Sequence, residues 1–180
     1  MRELSQHILD ALQNAREAKA SAVDLVIEED LAADRLTIVV QDNGRGIGRD
    51  HLRRIFDPFF TTRSTRRVGL GLPLFKAAAE RCNGDLTIRS QAGEGTTLRA
   101  TFQHSHIDRP PLGNITSTLM TVILAGGCDL HYVHRREGRT FEFRTADMRA
   151  ELGDVPLTHP AVRGWLKDFV AQGEAALRES

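Results

Sequence analysis

The chain carries no excess charge of either sign: 24 Lys and Arg balance 24 Asp and Glu across 180 residues. General attraction to nucleic acid or to an anionic membrane is therefore not expected, and any partner must be held by specific contacts. Cysteine is scarce, with only Cys82 and Cys128. One lies in a predicted helix and the other beside Gly126-Gly127, which excludes a disulfide framework and fits reduced, buried thiols in a cytosolic protein. No run approaches the roughly 20 apolar residues that cross a bilayer, and the first segment is a charged amphipathic helix rather than a signal sequence. Internal repeats and low-complexity tracts are absent too. The expectation is a cytoplasmic protein with neither nucleic acid nor membrane as partner, long enough to bury a core without disulfides or metal.

Hydrophobic spacing organises the rest. Leu4, Ile8, Ala11, Leu12 and Ala15 recur at helical intervals and predict an amphipathic helix from about Leu4 to Lys19. Ala22 to Glu28 and Leu36 to Gln41 are rich in Val, Ile and Leu and read as an antiparallel hairpin. Asp50 to Phe56 predicts a short helix, and Leu70 to Cys82 a longer one that stops before Gly84. Asp85 to Ser90 and Thr96 to Gln103 form a second strand pair around the turn at 92–95. At His104 to Gly113 the composition changes, and Pro110-Pro111 excludes helix. That places a boundary between a domain at 1–105 and a C-terminal α+β appendage at 106–180. In the appendage, 115–124 reads as helix, 130–134 and 140–144 flank a Glu137-Gly138 turn, and Thr145 stands where it would cap a short helix. A last helix starts near Pro160, with Val162, Trp165, Leu166, Phe169, Val170 and Leu177 as its apolar face.

Three polar groupings carry chemistry. Asp10 and Asn14 lie one helical turn apart, so a carboxylate and an amide oxygen share a face that would suit a hydrated Mg²⁺. Asp42 ends an apolar strand and is followed by glycines at 44, 46 and 48, where backbone can approach a ligand closely. A buried carboxylate there is a natural acceptor for the exocyclic amine of adenine. Gly69 and Gly71 open a helix whose free amides and positive dipole end favour phosphate. Singly, each has a plainer reading: a solvated helix face, a turn-forming Asp-Asn, an ordinary helix entry.

Together they match a family pattern. Leu12-Gln-Asn-Ala15 resembles the N box of the GHKL ATP-binding superfamily, and Asp42-Asn-Gly-Arg-Gly-Ile47 its first glycine box. Phe56-Asp-Pro-Phe-Phe-Thr-Thr-Arg63 is similar to the F box of histidine kinases, and Gly69-Leu70-Gly71-Leu72 and Gly93-Glu-Gly-Thr96 to the remaining glycine boxes. The resemblance spans about Leu4 to Phe102. It implies an α/β two-layer sandwich of the Bergerat type, a mixed sheet with helices on one face, and ATP with Mg²⁺ as ligands. By the same resemblance Asn14 holds Mg²⁺ and Asp42 binds the adenine amine. Gly44 and Gly46, with Ile47 in the same box, lie along the nucleotide, Gly69 to Leu72 bend a lid onto the phosphates, and Thr96 supports Asp42. Asp10 stands where hydrolysing relatives usually carry Glu; one methylene shorter, it departs from the family's general base. Arg63 and Arg66, in the short segment between the boxes, would pair with phosphate oxygens.

The fate of the γ-phosphate stays open. A sensor kinase keeps its acceptor histidine on a separate helix, and His7, seven residues before Asn14, is expected to be a surface or half-buried helix histidine out of reach. Transfer would then be to another protein. The alternatives are a partner-switch module resembling anti-sigma regulators, in which ATP sets partner affinity, and an ATPase that homodimerises like MutL. Zinc at Cys128, His131 and His134 fits no familiar ligand spacing, since 131 and 134 face opposite ways on a strand. The whole chain also resembles compact ATP-binding proteins of anaerobic bacteria. They share Glu3-Leu-Ser5, Ser105-His-Ile-Asp-Arg-Pro-Pro-Leu-Gly113 and Glu151-Leu-Gly-Asp-Val-Pro156. Their genes often neighbour those of hydrogenase-type redox complexes, which makes such a complex, or a response protein, the expected partner.

Overall fold

The computed structural model describes residues 3–60 and 70–179. The first helix, α1 (Leu4–Glu17), buries the five apolar residues that its spacing picks out. Its cap residue Glu3 makes no side-chain capping bond. Leu4 N donates to Pro111 O at 2.9 Å and Ser5 N to Leu112 O at 2.8 Å, so the proline-rich segment seals the helix start.

Strands β1 (Ala22–Asp30) and β2 (Arg35–Asp42) form the expected hairpin, turning at Asp34 with φ of 50°. After α2 (Arg49–Leu52) and α3 (Gly71–Arg81), β3 (Asp85–Gln91) and β4 (Gly95–Gln103) make the second antiparallel pair. Asn114 then caps α4 (Ile115–Ala125) by accepting from Ser117 N at 2.9 Å. The chain closes with β5 (Asp129–Arg136), β6 (Arg139–Arg144), α5 (Thr145–Leu152) and α6 (Pro160–Ala176).

The strands form one mixed sheet in the order β3-β4-β2-β1-β5-β6, in which β1 and β5 run parallel and every other pair is antiparallel. This is the two-layer α/β sandwich implied by the motifs. Leu25 and Ile27 on β1 stand opposite Val40 and Ile38 on β2, which stand opposite Leu98 and Ala100 on β4; all are buried on one face. Against that face α1 lies between α3 and α4, and α6 packs on α4. Among the described residues no helix is long and apolar enough to cross a membrane.

The C-terminal region is part of this sheet. The segment at 104–113 packs on α1, and β5 and β6 extend the sheet beyond β1, so the core runs on without a seam. Three local expectations need correction. Thr145 does not cap α5: its hydroxyl accepts from Leu130 N and donates to Asp129, joining α5 to β5 instead. Trp165 is 55% exposed, stacking on Phe169 at the rim of α6, while Leu166, Val170, Glu174 and Leu177 face inward. His7 is neither exposed nor half-exposed. It lies buried in a flat stack on Phe75, ring centroids 4.6 Å apart, with Nδ1 lacking a partner.

A buried polar cluster joins the C-terminal region to β1. His134 Nε2 lies 3.0 Å from Glu29 Oε1, and its Nδ1 lies 2.9 Å from Glu174 Oε2 on α6. Tyr132 donates to Glu174 at 2.7 Å, and the other Glu29 oxygen meets His104 at 2.8 Å and Arg136 at 2.9 Å. Burial alone would lower the His134 pKa, but hydrogen bonds to Glu174 and Glu29 outweigh it and raise the pKa. Burial likewise opposes the charge on Glu29, yet bonds from His134 and His104 bring its pKa down to about 2. A histidinium between two buried carboxylates is the consistent state. His131, as its place on the strand requires, faces the other side of the sheet, between Asp24 at 2.7 Å and Glu142 at 2.8 Å.

Replacing the buried cation tests this cluster. His134→Gln leaves Glu29 and Glu174 buried without the charge between them and is expected to cost about 3 kcal/mol in chemical denaturation. The difference from wild type should be fully present between the ordinary glutamate value of 4.5 and the ordinary histidine value of 6.5, and shrink as pH rises through the elevated histidine pKa. It should also fade below 4.5, as Glu29 approaches protonation near 2.

His7 acts in the opposite sense. Burial lowers its pKa from 6.5 to about 4, so the unfolded chain binds the extra proton and stability falls as pH drops through that interval. His7→Phe keeps the stack on Phe75 and removes the unpaired nitrogen. It should raise stability by about 1 kcal/mol at pH 7 and flatten the acid limb of the stability curve between those values.

Candidate functional site

A cavity of about 600 Å³ opens between the C-terminal part of α1, the ends of β2 and β4, and the start of α3. It lies within the roughly 300–1,000 Å³ usual for small-molecule and cofactor sites. Asp10, Asn14, Asp42, Gly46, Ile47, Leu70, Gly71, Leu72 and Thr96 all line it. Arg63, Arg66 and Gly69 lie outside the described residues.

The floor is the last row of the sheet. Asp42, Thr96 and Ser90 are register partners across β2, β4 and β3, continuing the row of buried Val40 and Leu98 and half-buried Ile88. One carboxylate oxygen of Asp42 accepts from Gly44 N at 2.8 Å. Burial raises the Asp42 pKa, and the amides of Gly44 and Thr96 partly oppose the rise. Thr96 Oγ1 lies 2.8 Å from Ser90 Oγ, which also meets Ile47 N and Gly95 O, each at 2.8 Å.

The segment after Asp42 is strapped down on both sides. Asn43 Oδ1 accepts from Ser21 N at 2.9 Å and Ala22 N at 3.0 Å. Arg45 N donates to Ala18 O at 2.8 Å, and Arg45 O accepts from Gly93 N at 2.7 Å. Glycine is required here for two different reasons. A Cβ on Gly44 would meet Ala18 and the Asp42 carboxylate within 3 Å, while Gly46 has φ of 67° and a Cβ there would run into the Gln91 carbonyl.

Above the floor, the start of α3 faces α1. Its cap residue Leu70 makes no side-chain capping bond, and Leu70, Gly71 and Leu72 bring the start of this eleven-residue helix to the cavity wall. Asp10 stands opposite: a Cβ on Gly71 would come 2.7 Å from Asp10 Oδ2. Asp10 and Asn14 thus put oxygens on one wall and a helix N-terminus on the other, an arrangement that suits a phosphate and a hard cation. Among the described residues no group of three or more His, Cys, Asp or Glu is placed to hold a metal, so a cation here would need phosphate or water to complete its shell.

Some wall residues were not singled out in the sequence. His51, Ile55 and Phe60 close one side, with the Phe60 ring 5.4 Å from His51 and 4.6 Å beneath Arg54. Phe60 belongs to the F-box motif, so its signal was present; His51 reaches the cavity from α2 and Ile55 from the turn after it. Ser90 was also missed, although pairing the predicted β3 and β4 around their turn sets it opposite Thr96. Glu17 on α1 and Arg45 in the first glycine box, by contrast, are a pair of opposite charge that the sequence itself suggests as a brace for the site, and both line the cavity.

Comparison with known proteins decides the family. The family model for histidine kinase-, DNA gyrase B- and HSP90-like ATPases matches residues 1–106. The chain belongs to this family. Sensor protein BceS of Halalkalibacterium halodurans is 39% identical over 87 residues, covering 46% of this chain and 26% of the relative. Tetrathionate sensor histidine kinase TtrS of Salmonella typhimurium is 35% identical over 107 residues, 57% of this chain and 18% of the relative. The chain therefore matches about a quarter or less of these sensors, and what is shared is the ATPase region. A solved structure of the N-terminal domain of a DNA repair protein superposes with a TM-score of 0.54 over 79% of this chain and 52% of its own. At 13% identity it shows likeness of fold alone. Membership of this ATPase family supports ATP binding by a kinase-like domain in general.

The two glycines separate backbone from side-chain constraints. Gly46→Ala must enter a left-handed conformation against a carbonyl and should cost about 2 kcal/mol, lowering Tm by about 4–8 °C. Gly71→Ala meets only the end of the Asp10 side chain and should leave Tm within about 2 °C of wild type. Thermal unfolding of both variants checks the contrast.

Proposed function

We propose that the cavity binds ATP with Mg²⁺ and that the protein acts in trans, as a protein kinase or as an ATP-gated regulator of a second protein. The observation that carries this reading is the convergence on one cavity of Asp10 and Asn14, the Asp42–Thr96 row and the N-terminus of α3. In it, Asp42 accepts from the exocyclic amine of adenine. Gly44 and Gly46 let the backbone run beside the nucleotide, and Ile47 and Leu72 line its path. The amides opening α3, with Leu70 and Gly71, face the phosphates. Asn14 and Asp10 offer oxygens on the opposite wall, Asn14 as a direct ligand and Asp10 through water. Mg²⁺, when bound, neutralises charge on the phosphates. Arg63, Arg66 and Gly69 are proposed to act from the connecting segment. With so short a side chain at position 10, positioning and electrostatics rather than general-base chemistry fit the site.

Action in trans is supported by the state of His7. Stacked on Phe75 and kept neutral by burial, it is closed off as an acceptor. The proposed partner is a response protein or a component of a redox complex, following the whole-chain resemblance. Asn14→Ala should reduce MgATP affinity by at least about tenfold in calorimetry while leaving the circular dichroism spectrum unchanged. Unaltered affinity would remove Asn14 from the metal. Incubating the protein with γ-labelled ATP and a co-purified partner separates the two modes: label retained on the partner supports a kinase, whereas an ATP-dependent complex without label supports a gated regulator.

A further inference from the structure

We infer that Ser90 is a positioning residue that makes the cavity select a 6-amino purine over a 6-oxo purine, by holding the Thr96 hydroxyl as a hydrogen-bond acceptor. The inference rests on the reading of the cavity as an adenine site and adds a residue outside the glycine boxes that carry that reading.

The argument is one of counting protons. A serine hydroxyl has one hydrogen to donate and two lone pairs to accept with. Ser90 Oγ has three neighbours at 2.8 Å: Gly95 O, Ile47 N and Thr96 Oγ1. A carbonyl oxygen only accepts, so the Ser90 proton goes to Gly95. A backbone N–H only donates, so Ile47 takes one lone pair. The remaining lone pair faces Thr96, and Thr96 must therefore donate its single proton to Ser90. Its own lone pairs are then left for the cavity it lines.

This orientation has a chemical consequence for the ligand. Thr96 is the register partner of Asp42, so the carboxylate and the hydroxyl lone pairs stand side by side at the end of the sheet. Two neighbouring acceptors favour a group that donates, as a 6-amino purine does. They oppose a 6-oxo group, which brings a third acceptor to the same place. A free threonine hydroxyl would not discriminate in this way, because it can rotate and donate to the oxo group. Ser90 removes that freedom. Its bond to Ile47 also ties the glycine-rich segment to the same row, so loop position and hydroxyl orientation are set by one atom.

The test is the ratio of ITP to ATP dissociation constants, measured by calorimetry for wild type, Ser90→Ala, Ser90→Thr and Thr96→Val. ITP differs from ATP only at the 6-position and the adjoining ring nitrogen, so the ratio isolates that edge. Wild type should prefer ATP. Ser90→Ala should shrink the preference by about tenfold, the equivalent of one hydrogen bond. Ser90→Thr, which restores the hydroxyl, should recover it. Thr96→Val removes the acceptor while leaving Ser90 its bonds to Gly95 and Ile47, and should relax the ratio independently of how well Ser90→Ala folds. An unchanged ratio in either Ser90→Ala or Thr96→Val overturns the inference, as does an equal loss of affinity for both nucleotides. Wild type that binds neither nucleotide would instead overturn the ATP reading, and this inference with it.

Discussion

The register of β2, β4 and β3 is the constraint on which the site depends. Leu36, Ile38 and Val40 point into the core opposite Phe102, Ala100 and Leu98, of which Ala100 and Leu98 in turn oppose Leu86 and Ile88 across the next pair. A slip of one residue would turn each apolar set toward water, so burial specifies the pairing strongly. Asp42, Thr96 and Ser90 are the next step of the same alternation. Their alignment is therefore held by the hydrophobic core beneath them rather than by the weaker polar contacts among themselves.

The polar end of that sheet is costly, and the surrounding backbone offsets the cost. Burial disfavours the Asp42 carboxylate, and amides from Gly44 and Thr96 answer it. The Gly44 amide can approach only because position 44 has no Cβ, and the Thr96 amide is brought there by the pairing of β4 with β2. Across the cavity, α3 begins without a side-chain cap, and Leu70, Gly71 and Leu72 at its start line the space that Asp10 borders. The two walls thus carry opposite electrostatic character, oxygens on α1 and amides on α3, as a phosphate with a cation requires.

The C-terminal region is bound into this frame at three levels. Its β5 lies parallel to β1, the segment before α4 supplies the first acceptors of α1, and Glu29, His134 and Glu174 join β1, β5 and α6 through a buried charge. The histidine makes sense only as a cation, because each ring nitrogen faces a carboxylate. His7, a short way into the same chain, makes sense only as a neutral ring, because it stacks on Phe75 with no carboxylate beside it. Two buried histidines with opposite charge states follow from what packs against each, and neither state is legible from the residue itself.

What the sequence by itself determined was local and periodic: the amphipathic α1, the β1–β2 and β3–β4 hairpins, and the glycines at 44, 46 and 71, each where the chain must turn or approach another part closely. Helical and strand spacing report which face is apolar, and glycine reports backbone conformation, so these could be read without coordinates. Even Ser90 lay within reach, one hairpin pairing away from Thr96. The parallel pairing of β5 with β1 could not be read this way, because it joins segments a hundred residues apart and leaves no mark in either. The same holds for Glu174, buried on a face where Trp165 had seemed the natural core residue, and for His51 at the cavity wall. Charge state, proton direction and long-range pairing are properties of neighbours, and only the tertiary structure decided who the neighbours are.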